Sequence, residues 1–211
     1  IRSGEMVSGG KQDRAFAITT ILTPEENENY VPVFCIEKGR WEDKNKAFRY
    51  AGSADADLRR VIDESAQQRK VWDEINRILS EKDIKNKTWA YLDAYNDTTK
   101  TDTAYTHFFN RKVQYSDSAY AGFIAVAGKR IIDCQVFCSS DFCMLSYESL
   151  VRSYVHSLRD DDGNPKVSAT YLKKFTDRFL QSTAQQQKYL ARHGRMYVYN
   201  GNLVQIVAYD D

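Results

Sequence analysis

The sequence predicts an α+β fold, a single domain in which three main helices pack on a largely antiparallel sheet, and three observations carry that expectation. Runs rich in β-branched and aromatic residues stand at both ends of the chain. Three stretches between and beside them place apolar residues at the 3.6-residue helical period. Gly128-Lys129 and Asn200-Gly201 each join two strand-like runs in hairpin fashion. Strands, then helices, then strands, without regular βαβ alternation, argue for α+β.

In chain order, residues 14–23 read as a strand that closes at Pro24. A charged turn follows at residues 25–29, and a second strand begins at Tyr30. The two strands are expected to be antiparallel neighbours, so the loop before Arg14 and the end of the second strand emerge at one edge. Residues 55–80 read as one helix with Leu58, Val61, Ile62, Trp72, Ile75 and Leu79 on its apolar face and Ser53 or Asp55 as N-cap. Residues 83–120 are polar and tyrosine-rich, an elaborated surface loop whose most mobile part is expected at residues 97–103. Strands at 121–127 and 130–138 come next, then a helix capped by Ser139 or Ser140 that runs to Leu158. The aspartates 160–162 open a turn; their spacing lacks the alternating acids and distal glutamate of a calcium-binding loop. An amphipathic helix over 167–183 and strands within 188–209 complete the chain.

The 211 residues are enough for one well-filled domain, and three scattered prolines mark no linker. Thirty basic against twenty-nine acidic residues give a net charge of +1, so no global field recruits nucleic acid. No apolar run approaches the roughly 20 residues that span a bilayer. The chain opens on Ile1 with no charged and apolar leader, which implies a processed or trimmed N-terminus and leaves cytoplasmic and exported locations both open. Cys134 and Cys138 lie about 13 Å apart along a strand at about 3.3 Å per residue, so any disulfide needs Cys35 or Cys143. The three histidines show no metal-ligand spacing, no C-x-x-C pair occurs, and no metal site is predicted.

Two stretches hold the candidate chemistry. Residues 31–41 end by delivering Cys35, Glu37, Arg40 and Trp41 within seven residues, and alternation puts Val33, Cys35 and Glu37 on one face with Phe34 and Ile36 on the other. Cys35 is either a nucleophile activated by a nearby cation or an inert strand residue. Glu37 is either a general base in line with that thiol or half of an ion pair with Arg40. Arg40 reads phosphate or carboxylate in bidentate fashion, and Trp41 either stacks on a flat ligand or roofs the core. Upstream, Gly9 and Gly10 free consecutive amides beside Lys11, Gln12 and Arg14, a turn that holds an anion or merely leads into a strand. Gln68 falls within the apolar stripe of its helix, where it must hydrogen-bond either loop carbonyls or a ligand in the same cavity.

The motifs Gly4-Glu5, Gly9-Gly10-Lys11-Gln12-x-Arg14, Pro32-Val33-x-Cys35-x-Glu37-x-Gly39-Arg40-Trp41, Ser53 with Leu58-Arg59, and Gln68-x-x-Val71-Trp72 together resemble one family. It is the ARG and rhodanese/phosphatase-superfamily-associated protein domain, first type, and the likeness extends through Phe137 to Leu150, Ser153 and Tyr154. The association in that family's name, with ADP-ribosylglycohydrolases and phosphatase-like proteins, implies a role around NAD-derived or ADP-ribosylated molecules and no set mechanism. The resemblance also implies an upstream part that relatives possess, and it picks out Glu5, Gln12, Arg14, Cys35, Glu37, Arg40, Trp41 and Gln68 as the shared polar set. The resulting expectation is a small anionic, ADP-ribose-like ligand held between the Gly9-Gly10 turn and the Cys35-to-Trp41 strand end. The alternative is a non-enzymatic module in which the same residues form a buried network that fixes the fold. The sequence names no cofactor, oligomeric state or reaction.

Overall fold

The computed structural model describes residues 1–24, 28–42, 47–65, 67–96, 120–159, 162, 164–180 and 183–210. The first half contains β1 (Glu5–Ser8), β2 (Arg14–Phe16), β3 (Val33–Cys35), β4 (Arg49–Ser53), α1 (Ala56–Ser65), α2 (Gln68–Glu81) and α3 (Tyr91–Tyr95). The second contains β5 (Gly122–Ala127), β6 (Arg130–Phe137), α4 (Ser140–His156), α5 (Ala169–Leu180), α6 (Thr183–His193), β7 (Gly194–Tyr199) and β8 (Asn202–Ala208). The strands form two four-stranded antiparallel sheets, ordered β3-β2-β1-β4 and β5-β6-β8-β7.

The α+β class holds, with six helices among the described residues and two sheets in place of one. Several boundaries differ from expectation. The glycine-rich segment before Arg14 contains β1, a central strand whose Met6 is fully buried; its polar residues serve the seam and turn described below. The strand expected over 14–23 keeps its ladder only to Phe16, although Ala17 still donates to the Pro32 carbonyl. The single helix expected over 55–80 is two, because Gln67 is extended (φ −120°, ψ 119°) and turns the chain between α1 and α2. β4 and α3 went unforeseen, and residues 183–193 form a helix where strands were expected from 188. The expected mobile stretch at 97–103 and most of the aspartate turn at 160–163 lie outside the described residues.

Asp55 and Ser139 cap their helices by accepting from the Leu58 and Phe142 amides, at 2.9 and 3.2 Å. α1, α2 and α3 pack on the first sheet, burying Leu58, Ile62, Val71, Ile75 and Tyr91 against Met6, Ala15, Phe34 and Ile36. In the second sheet a bulge leaves Ile132 without a partner on β5 and re-aims β6. Ile132 and Phe137 then face α4, while Ile131 and Cys134 pack with Phe175, Phe179 and Leu190 of α5 and α6. All four cysteines are free thiols. Among the described residues no helix is long and apolar enough to cross a membrane.

Candidate functional site

β2 and β3 pair antiparallel with Arg14 opposite Cys35, so the chain entering β2 and the chain leaving β3 meet at one end of the sheet. Gly9 (φ +143°) and Gly10 (φ +52°) form the turn there, in backbone regions that side chains rarely adopt. A Cβ on Gly9 would also lie 2.7 Å from the Ala47 carbonyl oxygen, so the turn is fixed by close approach as well as by conformation.

Glu37 is the hub of this corner and is buried. Its Oε2 accepts from Arg40 Nε at 2.8 Å, from Arg40 Nη2 at 2.7 Å and from the Asp13 amide at 3.3 Å. Arg40 Nη1 donates to the carbonyl oxygens of Gly10 and Glu42 at 2.6 and 2.8 Å, and Nη2 also reaches Asp13 Oδ1 at 3.3 Å. Every nitrogen of that guanidinium therefore donates to the protein. Asp13 Oδ1 in turn accepts from Ser8 Oγ and the Gly9 amide, at 2.9 and 3.0 Å. The amide that the glycine turn offers an anion thus holds the chain's own carboxylate. Burial opposes ionisation of Glu37, but hydrogen bonds from Arg40 and the Asp13 amide outweigh it and hold the carboxyl below its usual range.

Gln12 is buried; it donates to the Lys38 carbonyl at 3.3 Å and accepts from Arg14 Nη1 at 3.1 Å. Gln12, Arg14, Glu37 and Arg40 are therefore joined, with Asp13 as the link. Gln68 works elsewhere, on the strand backbone. Its side-chain amide accepts from the Cys35 N–H at 2.8 Å and donates to the Cys35 carbonyl at 2.9 Å. It fills a strand's place on the open edge of β3. Cys35 is half-buried, and Trp41 is 70% exposed and roofs no core. Phe48, whose ring packs where a Gly10 Cβ would be, and Trp89, next to the Thr88 carbonyl that accepts from the Gly39 amide, are exposed beside the same corner. Lys11 is exposed, and Arg14 makes no ion pair with a described residue.

A larger polar network lies between the two halves. Arg59 donates to Asp133 Oδ2 at 2.7 Å and to Ser153 Oγ at 2.9 Å, and Tyr154 donates to Asp133 Oδ1 at 2.6 Å. Gln135 Nε2 donates to Asp133 at 2.9 Å and its oxygen accepts from Gln205, which accepts from Thr19. Asp63 accepts from Ser3, Tyr197 and Tyr209. Burial opposes the charge on Arg59 but Asp133 outweighs it and raises the pKa, whereas burial raises Asp63 against its three hydroxyl donors. Gly4 (φ +74°) is glycine because a methyl there would overlap the Arg59 side chain. Arg2 extends the seam to Glu5 at 2.9 Å, Ser53 at 3.1 Å and Ser149 at 2.5 Å.

Asp13, Asp63, Asp133, Gln135 and Gln205 escaped the sequence reading. Alternation offered a signal for two of them: Asp133 and Gln135 sit two apart among the apolar residues that follow Arg130 and so face the same side. Among the described residues no group of three or more His, Cys, Asp or Glu side chains is placed to hold a metal ion.

Fold and site define an α+β domain whose two sheets meet across a buried polar seam and whose first sheet ends in an ion-paired glycine corner. The chain belongs to the family of the ARG and Rhodanese-Phosphatase-superfamily-associated Protein domain, whose model matches residues 1–207. No curated protein and no solved structure matches it.

Proposed function

We propose that this domain is a binding module for a small anionic, ADP-ribose-like ligand, and that the corner's ion pairs are the scaffold rather than the hand. One observation carries the reading: Arg40 and the Gly9 amide are engaged internally, while bulky aromatics and the cations Lys11 and Arg14 stand around them. Trp41, 70% exposed next to the ion-paired Arg40, is the stacking platform for a flat group. Lys11 and Arg14 attract the anionic part. Glu37 stays ionised against Arg40 and fixes the position of Trp41 through the intervening chain. The family's association with ADP-ribosylglycohydrolases suggests the ligand class.

Thermal unfolding with added ADP-ribose, NAD or inorganic phosphate tests the proposal. A ligand at 100 times its Kd adds about 2.7 kcal/mol of stability. The shift is expected with ADP-ribose; Trp41→Ala abolishes it while leaving the unliganded melting temperature nearly unchanged, and Arg14→Gln weakens it. No shift with any of the three overturns it.

A second reading has its own observation, the Asp13 carboxylate seated on the Gly9 amide. Here the network only fixes the fold. Glu37→Gln then lowers stability, as it does in the first reading, but no ligand restores any of it.

A further inference from the structure

The C-terminal end of α1 faces α6 and the start of β7 across a cleft of about 330 Å³, room for one small metabolite. Its lining combines Asp63, Glu64, Gln187 and Arg195 with Leu190 and Met196. Arg195 is half-buried and makes no ion pair with a described residue. Its guanidinium lies 5.6 Å from the centre of the Tyr197 ring, and Nη1 donates to the Asp63 carbonyl oxygen at 3.4 Å. The cation is thus held in place without a counter-charge among the described residues. The neighbouring acids are differently engaged. Glu64 is paired with Arg60 at 2.9 Å, and Asp63, 3% exposed, accepts from the hydroxyls of Ser3, Tyr197 and Tyr209.

Such a cation beside two acids suits a single carboxylate whose carrier also brings a hydrogen-bond donor, and it disfavours a dianion such as phosphate. Leu190 and Met196 supply an apolar wall for a short side chain. We propose that this cleft binds a small carboxylate with a donor on the adjacent carbon, an α-hydroxy or α-amino acid. Its carboxylate sits on Arg195, its donor turns to Glu64 and the Asp63 end, and its side chain lies on Leu190 and Met196. The site is separate from the Gly9-Gly10 corner and does not depend on the reading given to that corner.

Calorimetric titration of the whole chain with L-lactate, L-leucine, butyrate and inorganic phosphate tests it. Lactate or leucine is expected to bind saturably, the stronger of the two identifying the hydroxy or amino class. Butyrate, which keeps the carboxylate but lacks the donor, binds about tenfold more weakly or worse. Arg195→Gln weakens binding by about tenfold or more. Ala191→Phe, at an exposed position on the cleft wall, blocks binding without touching the core and serves even if Arg195→Gln impairs folding. Trp41→Ala leaves this binding unchanged. No saturation by lactate or leucine up to on the order of 20 mM overturns the proposal, as does tighter binding of phosphate or wild-type affinity in Ala191→Phe.

Discussion

Replacing Arg59 by Met strikes the seam between the two sheets at its buried ion pair. Arg59 is 2% exposed and Asp133 fully buried, with 2.7 Å between them. Methionine fills much of the same volume but leaves the Asp133 carboxylate with two neutral donors, Tyr154 and Gln135, and no counter-charge. Breaking a buried pair from one side costs about 3–5 kcal/mol, a large share of the roughly 5–15 kcal/mol that holds a domain folded. Asp133→Asn alone strands the guanidinium, whose Nε already lacks a partner. The double variant removes both charges, so it should be less destabilised than the sum of the singles by about 0.5–3 kcal/mol. Urea unfolding of the four proteins at pH 7, followed by circular dichroism, gives the cycle. A single-variant cost below about 1 kcal/mol, or additivity within about 0.3–0.5 kcal/mol, refutes a seam held by this pair.

Gly4→Ala forces a left-handed backbone costing about 1–2 kcal/mol and overpacks Arg59 by about 1–3 kcal/mol more, read as a lower urea midpoint. Gln68→Ala leaves the Cys35 N–H and carbonyl unpaired at the sheet edge and costs about 1–3 kcal/mol, with faster amide exchange at Cys35 as its local signature. Burial raises the Asp55 carboxyl from 3.8 to about 6, so the folded state holds its proton longer than the unfolded chain. The stability this group contributes is therefore full below its unfolded pKa and lost as pH rises towards about 6, by on the order of 3 kcal/mol. Asp55→Asn keeps an acceptor for the Leu58 amide and flattens that fall; an unchanged pH profile between 4 and 6 contradicts the assignment.

What the sequence made legible followed from periodicity and turn chemistry. Leu58, Ile62, Ile75 and Leu79 are buried as their spacing requires, and the Asn200-Gly201 hairpin stands where expected. The pairing of β2 with β3, and with it the meeting of the glycine turn and the Glu37–Arg40 segment, was likewise readable, because two short strands joined by a charged turn have little choice of partner. β1 was hidden because its buried face is a single residue, Met6, between polar neighbours that serve the seam. α6 was hidden because its glutamine-rich start carries a weak apolar stripe and its end runs without a break into β7. The seam itself depends on pairs such as Thr19 with Gln205 and Asp63 with Tyr209, separated by more than a hundred residues, and no local pattern announces which polar side chains will be buried together.

Tryptophan fluorescence during titration with ADP-ribose puts the corner to its most direct test, since Trp41 is the proposed platform and stands exposed beside Arg40. Saturable quenching in the wild-type protein, lost in Trp41→Ala and weakened in Arg14→Gln, is the expected result. Emission that does not respond to ADP-ribose, or that responds equally in Trp41→Ala, contradicts a ligand seated on this corner.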